Sequence, residues 1–63
     1  MTTAQKAQKY DEYIQIVDRL LRENSKLKAT YVADIPPHIQ KIIDENSRKI
    51  AFYEAETMKL FKD

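Results

Sequence analysis

The chain has 63 residues, of which 33% are charged and 43% hydrophobic, and its 11 basic and 10 acidic side chains leave a net charge of +1. This length accommodates one small domain, residues 1–63, and the balance is that of a folded chain without a strong field toward nucleic acid or membranes. Cysteine and glycine are both absent, which excludes disulfides, Cys-based zinc sites, glycine-rich phosphate loops and dinucleotide-binding motifs.

The first half of the chain carries apolar residues at steps of three and four. This spacing predicts an amphipathic α-helix over residues 3–29, opened by a capping box of Thr2 and Gln5. Asn24 lies within the apolar stripe, whereas Ile16 projects away from it. The predicted stripe, roughly 140° wide at about 100° per residue, consists of Tyr10, Tyr13, Ile14, Val17, Leu20, Leu21 and Leu27.

A diproline, Pro36-Pro37, interrupts the helical pattern. Each proline lacks an amide donor and disfavours helical geometry in the residue before it. Pro37 suits the first position of a new helix. We therefore predict a turn over residues 30–36 between two helices.

The second half shows the same helical period and predicts a helix over residues 37–61. Asn46 lies inside its stripe, while Phe52 and Met58 project away from it. The predicted fold class is all-α, an antiparallel two-helix hairpin. The stripe of the second helix consists of Ile39, Ile42, Ile43, Ile50, Tyr53, Leu60 and Phe61.

The two helices share a short sequence pattern. Residues 20–26 read LLRENSK and residues 42–48 read IIDENSR. Two amphipathic helices can resemble each other by chance, and duplication of one helix is the alternative. One repeat is too few for a solenoid, which needs about three units.

Each apolar stripe is wider than one neighbouring helix covers, and chains of about 60 residues are marginally stable alone. We therefore expect a homodimer, with two hairpins forming a four-helix bundle. Asn24 and Asn46 are expected to form a polar layer that fixes the register, the alternative being that each is solvated at a splayed edge. The predicted dimer core is Tyr10, Tyr13, Ile14, Val17, Leu20, Leu21, Leu27, Ile39, Ile43, Ile50, Tyr53 and Leu60.

The sequence contains few residues that could support catalysis or bind a metal ion. His38 is the only histidine, and we expect it to be solvent-exposed beside the turn. The Glu-x-x-His signature of di-iron bundles is missing because Ile35 stands three residues before His38. No apolar run approaches the roughly 18 residues of a membrane span, and the N-terminus does not resemble a signal peptide. We expect a cytoplasmic protein with neither enzymatic activity nor a cofactor, and with no membrane partner.

These observations favour a small regulatory or adaptor protein that binds itself and an unidentified protein partner. Its size suits an accessory factor of a bacterium, phage or plasmid. The candidate partner-binding residues are Ile16, Phe52 and Met58, because exposed aromatic and Met side chains are enriched at interfaces.

Nucleic-acid binding is the alternative, through Lys26, Lys28, Arg48 and Lys49, although acidic residues interleave with these cations. In helix number and chain length the protein resembles the Rop family of plasmid copy-number regulators, which are dimeric four-helix bundles that bind paired RNA loops. The resemblance covers architecture only and implies no role for any residue of this chain.

Overall fold

The computed structural model describes residues 1–62, which form two helices, α1 (Thr3–Thr30) and α2 (Pro37–Leu60). The helices pack against each other along a rod of 47 × 15 × 12 Å. No strand occurs within residues 1–62. The all-α hairpin predicted from the sequence is therefore confirmed. α1 extends one residue beyond its predicted end, and α2 ends one residue before it. Neither helix has the length and apolar character of a membrane span, among the residues described.

α1 begins with the capping box that Thr2 and Gln5 predict. The backbone N–H of Gln5 donates to Thr2 Oγ1 at 3.1 Å, and the backbone N–H of Thr2 donates to Gln5 Oε1 at 2.9 Å. These two bonds satisfy N–H groups that no helical carbonyl can reach. At the other end, the N–H of Tyr31 donates to the carbonyl of Leu27 at 3.0 Å, so the helix closes without a glycine.

The diproline starts α2. Pro36 has extended backbone angles, φ −58° and ψ 148°, and Pro37 is the first helical residue. The carbonyl of Pro36 accepts from the N–H groups of Ile39 and Gln40 at 3.0 and 2.9 Å. Because the first amide of a helix has no intrahelical acceptor, Pro37 loses no bond by lacking an N–H.

The two helices run antiparallel. The ring of Tyr10, near the start of α1, packs edge-on against Phe61 at the end of α2, with centroids 5.6 Å apart. Tyr13 likewise contacts Tyr53, with centroids 5.5 Å apart. Asn24, close to the turn, meets Asn46. These pairs set the register of the hairpin.

The core lies between the helices and is small. Val17 and Leu20 of α1 and Ile39 and Ile43 of α2 are the buried apolar side chains among the residues described. No side chain among them is less than 2% exposed. A second group is half-buried along the same seam: Tyr13, Leu27, Ile50, Tyr53 and Leu60. One neighbouring helix therefore covers only part of the predicted stripe of α1.

Substituting the most deeply buried isoleucine tests this core. Ile43 is 3% exposed and its neighbour Ile42 is 38% exposed, so the two residues form a matched pair. Ile43→Val is expected to lower the free energy of unfolding by about 0.5–1.5 kcal/mol, because it leaves a methyl-sized void. Ile42→Val should change it by less than about 0.5 kcal/mol. Urea titrations followed by circular dichroism measure both, and equal losses would contradict this assignment of the core.

Candidate interaction surface

A polar layer crosses the hairpin at Asn24 and Asn46, which are both buried. The side-chain amide Nδ2 of Asn46 donates to Asn24 Oδ1 at 3.0 Å. It also donates to the Glu23 carboxylate at 3.2 Å. Asn24 Nδ2 donates to the carbonyl of Ile43 and to Ser47 Oγ, both at 3.4 Å. The sequence-predicted polar layer residues therefore meet within one hairpin.

The polar layer also defines the two sides of the hairpin. Ser47 stands at one end of the hydrogen-bond chain and Glu23 at the other. We call these the Ser47 side and the Glu23 side. Phe61 lies on the Ser47 side, because fourteen helical residues return to within about 40° of the starting direction. Tyr10 contacts Phe61 and so lies on this side as well.

An apolar strip of α1 remains uncovered on the Ser47 side. It consists of Tyr10, Ile14 and Leu21, which lie within about 40° of one another around the helix and are between 40% and 48% exposed. We call these three residues the outer strip. Predicted as part of the dimer core, they are the α1 stripe residues that the hairpin leaves exposed.

The corresponding row of α2 is polar over most of its length. Gln40, Ser47 and Glu54 recur at steps of seven, which keeps them close to one line along the helix. All three are exposed, and Gln40 donates to the Asp44 carboxylate at 2.9 Å. The same row holds Ala51 and becomes apolar at its far end, where Met58, about 20° from Ser47 around the helix, and Phe61 are exposed. The Ser47 side is thus apolar along residues 10–21 of α1 and mainly polar on α2 as far as Glu54.

The three predicted partner-binding residues do not form one patch. Ile16 is half-buried and lines a shallow cleft with Glu12, Gln15 and Arg19. Phe52 is 58% exposed, and its ring packs edge-on against Tyr53 with centroids 5.2 Å apart. Met58 is exposed but lies six residues after Phe52, which separates the two by about 120° around α2. Phe52 is the one aromatic residue of the three, and most of its side chain is exposed.

The four cations of the nucleic-acid alternative are exposed but point in different directions. Lys26 and Lys28 stand two residues apart on α1, so they project about 160° apart, and Arg48 and Lys49 diverge by about 100°. Helix geometry thus spreads these cations around the rod rather than gathering them on one face. His38 is exposed beside the turn. Residues 1–62 contain no group of three His, Asp or Glu side chains placed to hold a metal ion.

The sequence predicted that one neighbouring helix would not cover the whole α1 stripe, but it did not identify which residues would stay uncovered. A signal for this division of the stripe is present in α2, where Ile39, Ile43, Asn46, Ile50 and Tyr53 recur at alternating steps of four and three. That alternation is the single-seam pattern of paired helices. In α1, Ile14 and Leu21 each add an apolar residue directly after a seam position, and this extra row stays exposed beside the seam.

The chain was compared with protein-family models, with curated proteins and with solved structures, and none of them matches it.

The polar layer is tested by removing one amide and then both. Asn24→Leu deprives the buried Asn46 Nδ2 of one of its two acceptors, the other being the Glu23 carboxylate, so we expect the free energy of unfolding to fall by about 1–3 kcal/mol. The double variant Asn24→Leu with Asn46→Leu should regain most of this loss, because no buried amide is left without a partner. Urea titration of the three proteins measures the coupling. Strictly additive losses would mean that the amide–amide bond contributes nothing.

Proposed function

We propose that this protein is a small non-enzymatic adaptor or regulator that acts through protein–protein contact, and that its hairpin self-associates into a four-helix bundle. The supporting observation is the outer strip, Tyr10, Ile14 and Leu21, which stays 40–48% exposed in the single hairpin. Large apolar side chains aligned along one helix mark a surface that another protein covers.

The dimensions of the hairpin suit a stable dimer. Its broad face measures 47 by 15 Å and so offers up to about 700 Å² on each copy. The total of about 1,400 Å² falls within the size range of specific, stable interfaces.

Stability favours association as well. Four apolar side chains form the buried core of the described residues, and chains of about 60 residues bury only about 60% of the surface that the unfolded chain exposes, which is less than larger domains bury. A second copy that covers the outer strip removes further apolar area from water, at about 25 cal/mol per Å². Association then stabilises the folded hairpin by mass action.

The proposed adaptor role rests on the exposed Phe52 and on the amino-acid composition of the chain. Phe52 projects about 140° away from Ser47 around α2, so it stays exposed when the Ser47 side is covered. An exposed aromatic side chain is a common anchor for a protein partner. The motifs of phosphate, dinucleotide and Cys-based metal binding need glycine or cysteine, and the chain contains neither.

Molar mass in solution tests self-association. The wild-type chain of 7.5 kDa is expected to sediment as a dimer of twice that mass at micromolar concentration. Leu21→Glu should convert it to a folded monomer, because a carboxylate on the outer strip would be buried without a partner. Analytical ultracentrifugation gives the mass and circular dichroism gives the helicity.

Ile42→Glu is the matched control for Leu21→Glu. Ile42 is 38% exposed on α2 and lies about 140° away from Ser47 around the helix, so this variant should remain a dimer. A wild-type chain that stays monomeric up to millimolar concentration would refute self-association.

A further inference from the structure

We infer that the two copies meet through α1, with the outer strip of one copy packed on the outer strip of the other. This inference rests on the proposed self-association and adds which helix faces which. On the Ser47 side, α1 presents the apolar outer strip. Opposite Ile14 and Leu21, α2 presents mainly polar side chains as far as Glu54, and its exposed apolar residues Met58 and Phe61 follow only beyond that point. The occupant of the outer strip is therefore a second outer strip, and the rows of α2 lie at the rim of the interface.

The alternative contact, α1 of one copy on α2 of the other, places apolar side chains on polar ones. Ile14 and Leu21 would then cover Gln40, Ser47 and Glu54, all of which are exposed in the hairpin. Burying the Glu54 carboxylate against a methyl group without a cation is unfavourable. Ser47 Oγ accepts a hydrogen bond from Asn24, and a polar hydroxyl group is a poor neighbour for an apolar side chain.

The α1-to-α1 contact leaves these polar groups in water. Helices in bundles pack 8–10 Å apart, so only side chains on the facing line are fully covered. Gln40, Ser47 and Glu54 belong to α2 and stand beside that line. At the Tyr10 end of the outer strip, the rings of Tyr10 and Phe61 contact each other. Together they extend the apolar surface toward the second copy.

A charge-swap experiment tests which helix faces which. One variant carries Ile14→Glu with Leu21→Glu, and a second carries Ile14→Lys with Leu21→Lys. If α1 faces α1, each variant alone repels its own copy and is monomeric. A 1:1 mixture of the two restores a dimer, with a dissociation constant at least about tenfold lower than that of either variant with itself. This result holds whether the two α1 helices run parallel or antiparallel, because either alignment places Glu opposite Lys.

The control pair places the same charges on the other side of the hairpin. Ile42→Glu and Ile42→Lys should each associate with their own copies as the wild type does. All variants are checked for helicity by circular dichroism. Ile14 and Leu21 are nearly half exposed in the hairpin, so their replacement should leave it folded.

A second measurement uses the unaltered chain. In an equal mixture of ¹³C-labelled and unlabelled wild-type protein, isotope-filtered NOE spectra report contacts between copies. Contacts from the Leu21 methyl groups to Ile14 or Leu21 of the other copy are expected. If those methyl groups contact Gln40 or Met58 of the other copy but neither Ile14 nor Leu21, the inference is overturned.

The two levels of the proposal fail in different ways. A monomeric wild type removes self-association and this inference together. A dimeric wild type in which the Lys variant dimerises alone, or in which the Glu and Lys variants do not combine, places α1 against α2 and overturns only the inference.

Discussion

A helix in a hairpin has a single neighbour, and the apolar surface of α1 is wider than one neighbour covers. The seam with α2 buries Val17 and Leu20 and half-buries Tyr13 and Leu27, and the outer strip lies beside the seam. The outer strip remains exposed for this geometric reason and not because the residues are poorly packed. The same limit keeps the core small, since two helices have only one line of contact.

The Asn24–Asn46 pair gives the seam its register. A buried amide is unfavourable unless its donors and acceptors are satisfied, and sliding one helix along the other would separate the two side chains. Apolar layers tolerate such sliding much better, because one aliphatic contact resembles the next. The polar layer also distinguishes the two sides of the hairpin, since Ser47 and Glu23 join it from opposite directions.

The two sides differ in chemistry, and this difference underlies the proposed adaptor role. The Ser47 side presents aligned apolar residues of α1, which suit a second copy of the chain. Phe52 lies away from that side and is exposed beside Tyr53. The outer strip and Phe52 therefore lie on different parts of the rod, as the proposal of two separate protein contacts requires. The charged residues surround the rod, where ion pairs such as Arg22 with Asp18 at 3.0 Å are exposed and add little stability.

Local sequence determined the helices and the turn, because the 3.6-residue period, the Thr2–Gln5 capping box and Pro36-Pro37 act through neighbouring residues. The amino-acid types also marked Asn24 and Asn46 as polar positions within apolar stripes. Only the tertiary structure decided that these amides bond to each other within one hairpin, and that Tyr10, Ile14 and Leu21 stay outside the seam. Periodicity identifies a stripe, but the share of it that is covered depends on the rotation of each helix about its own axis. Packing against the other helix sets that rotation.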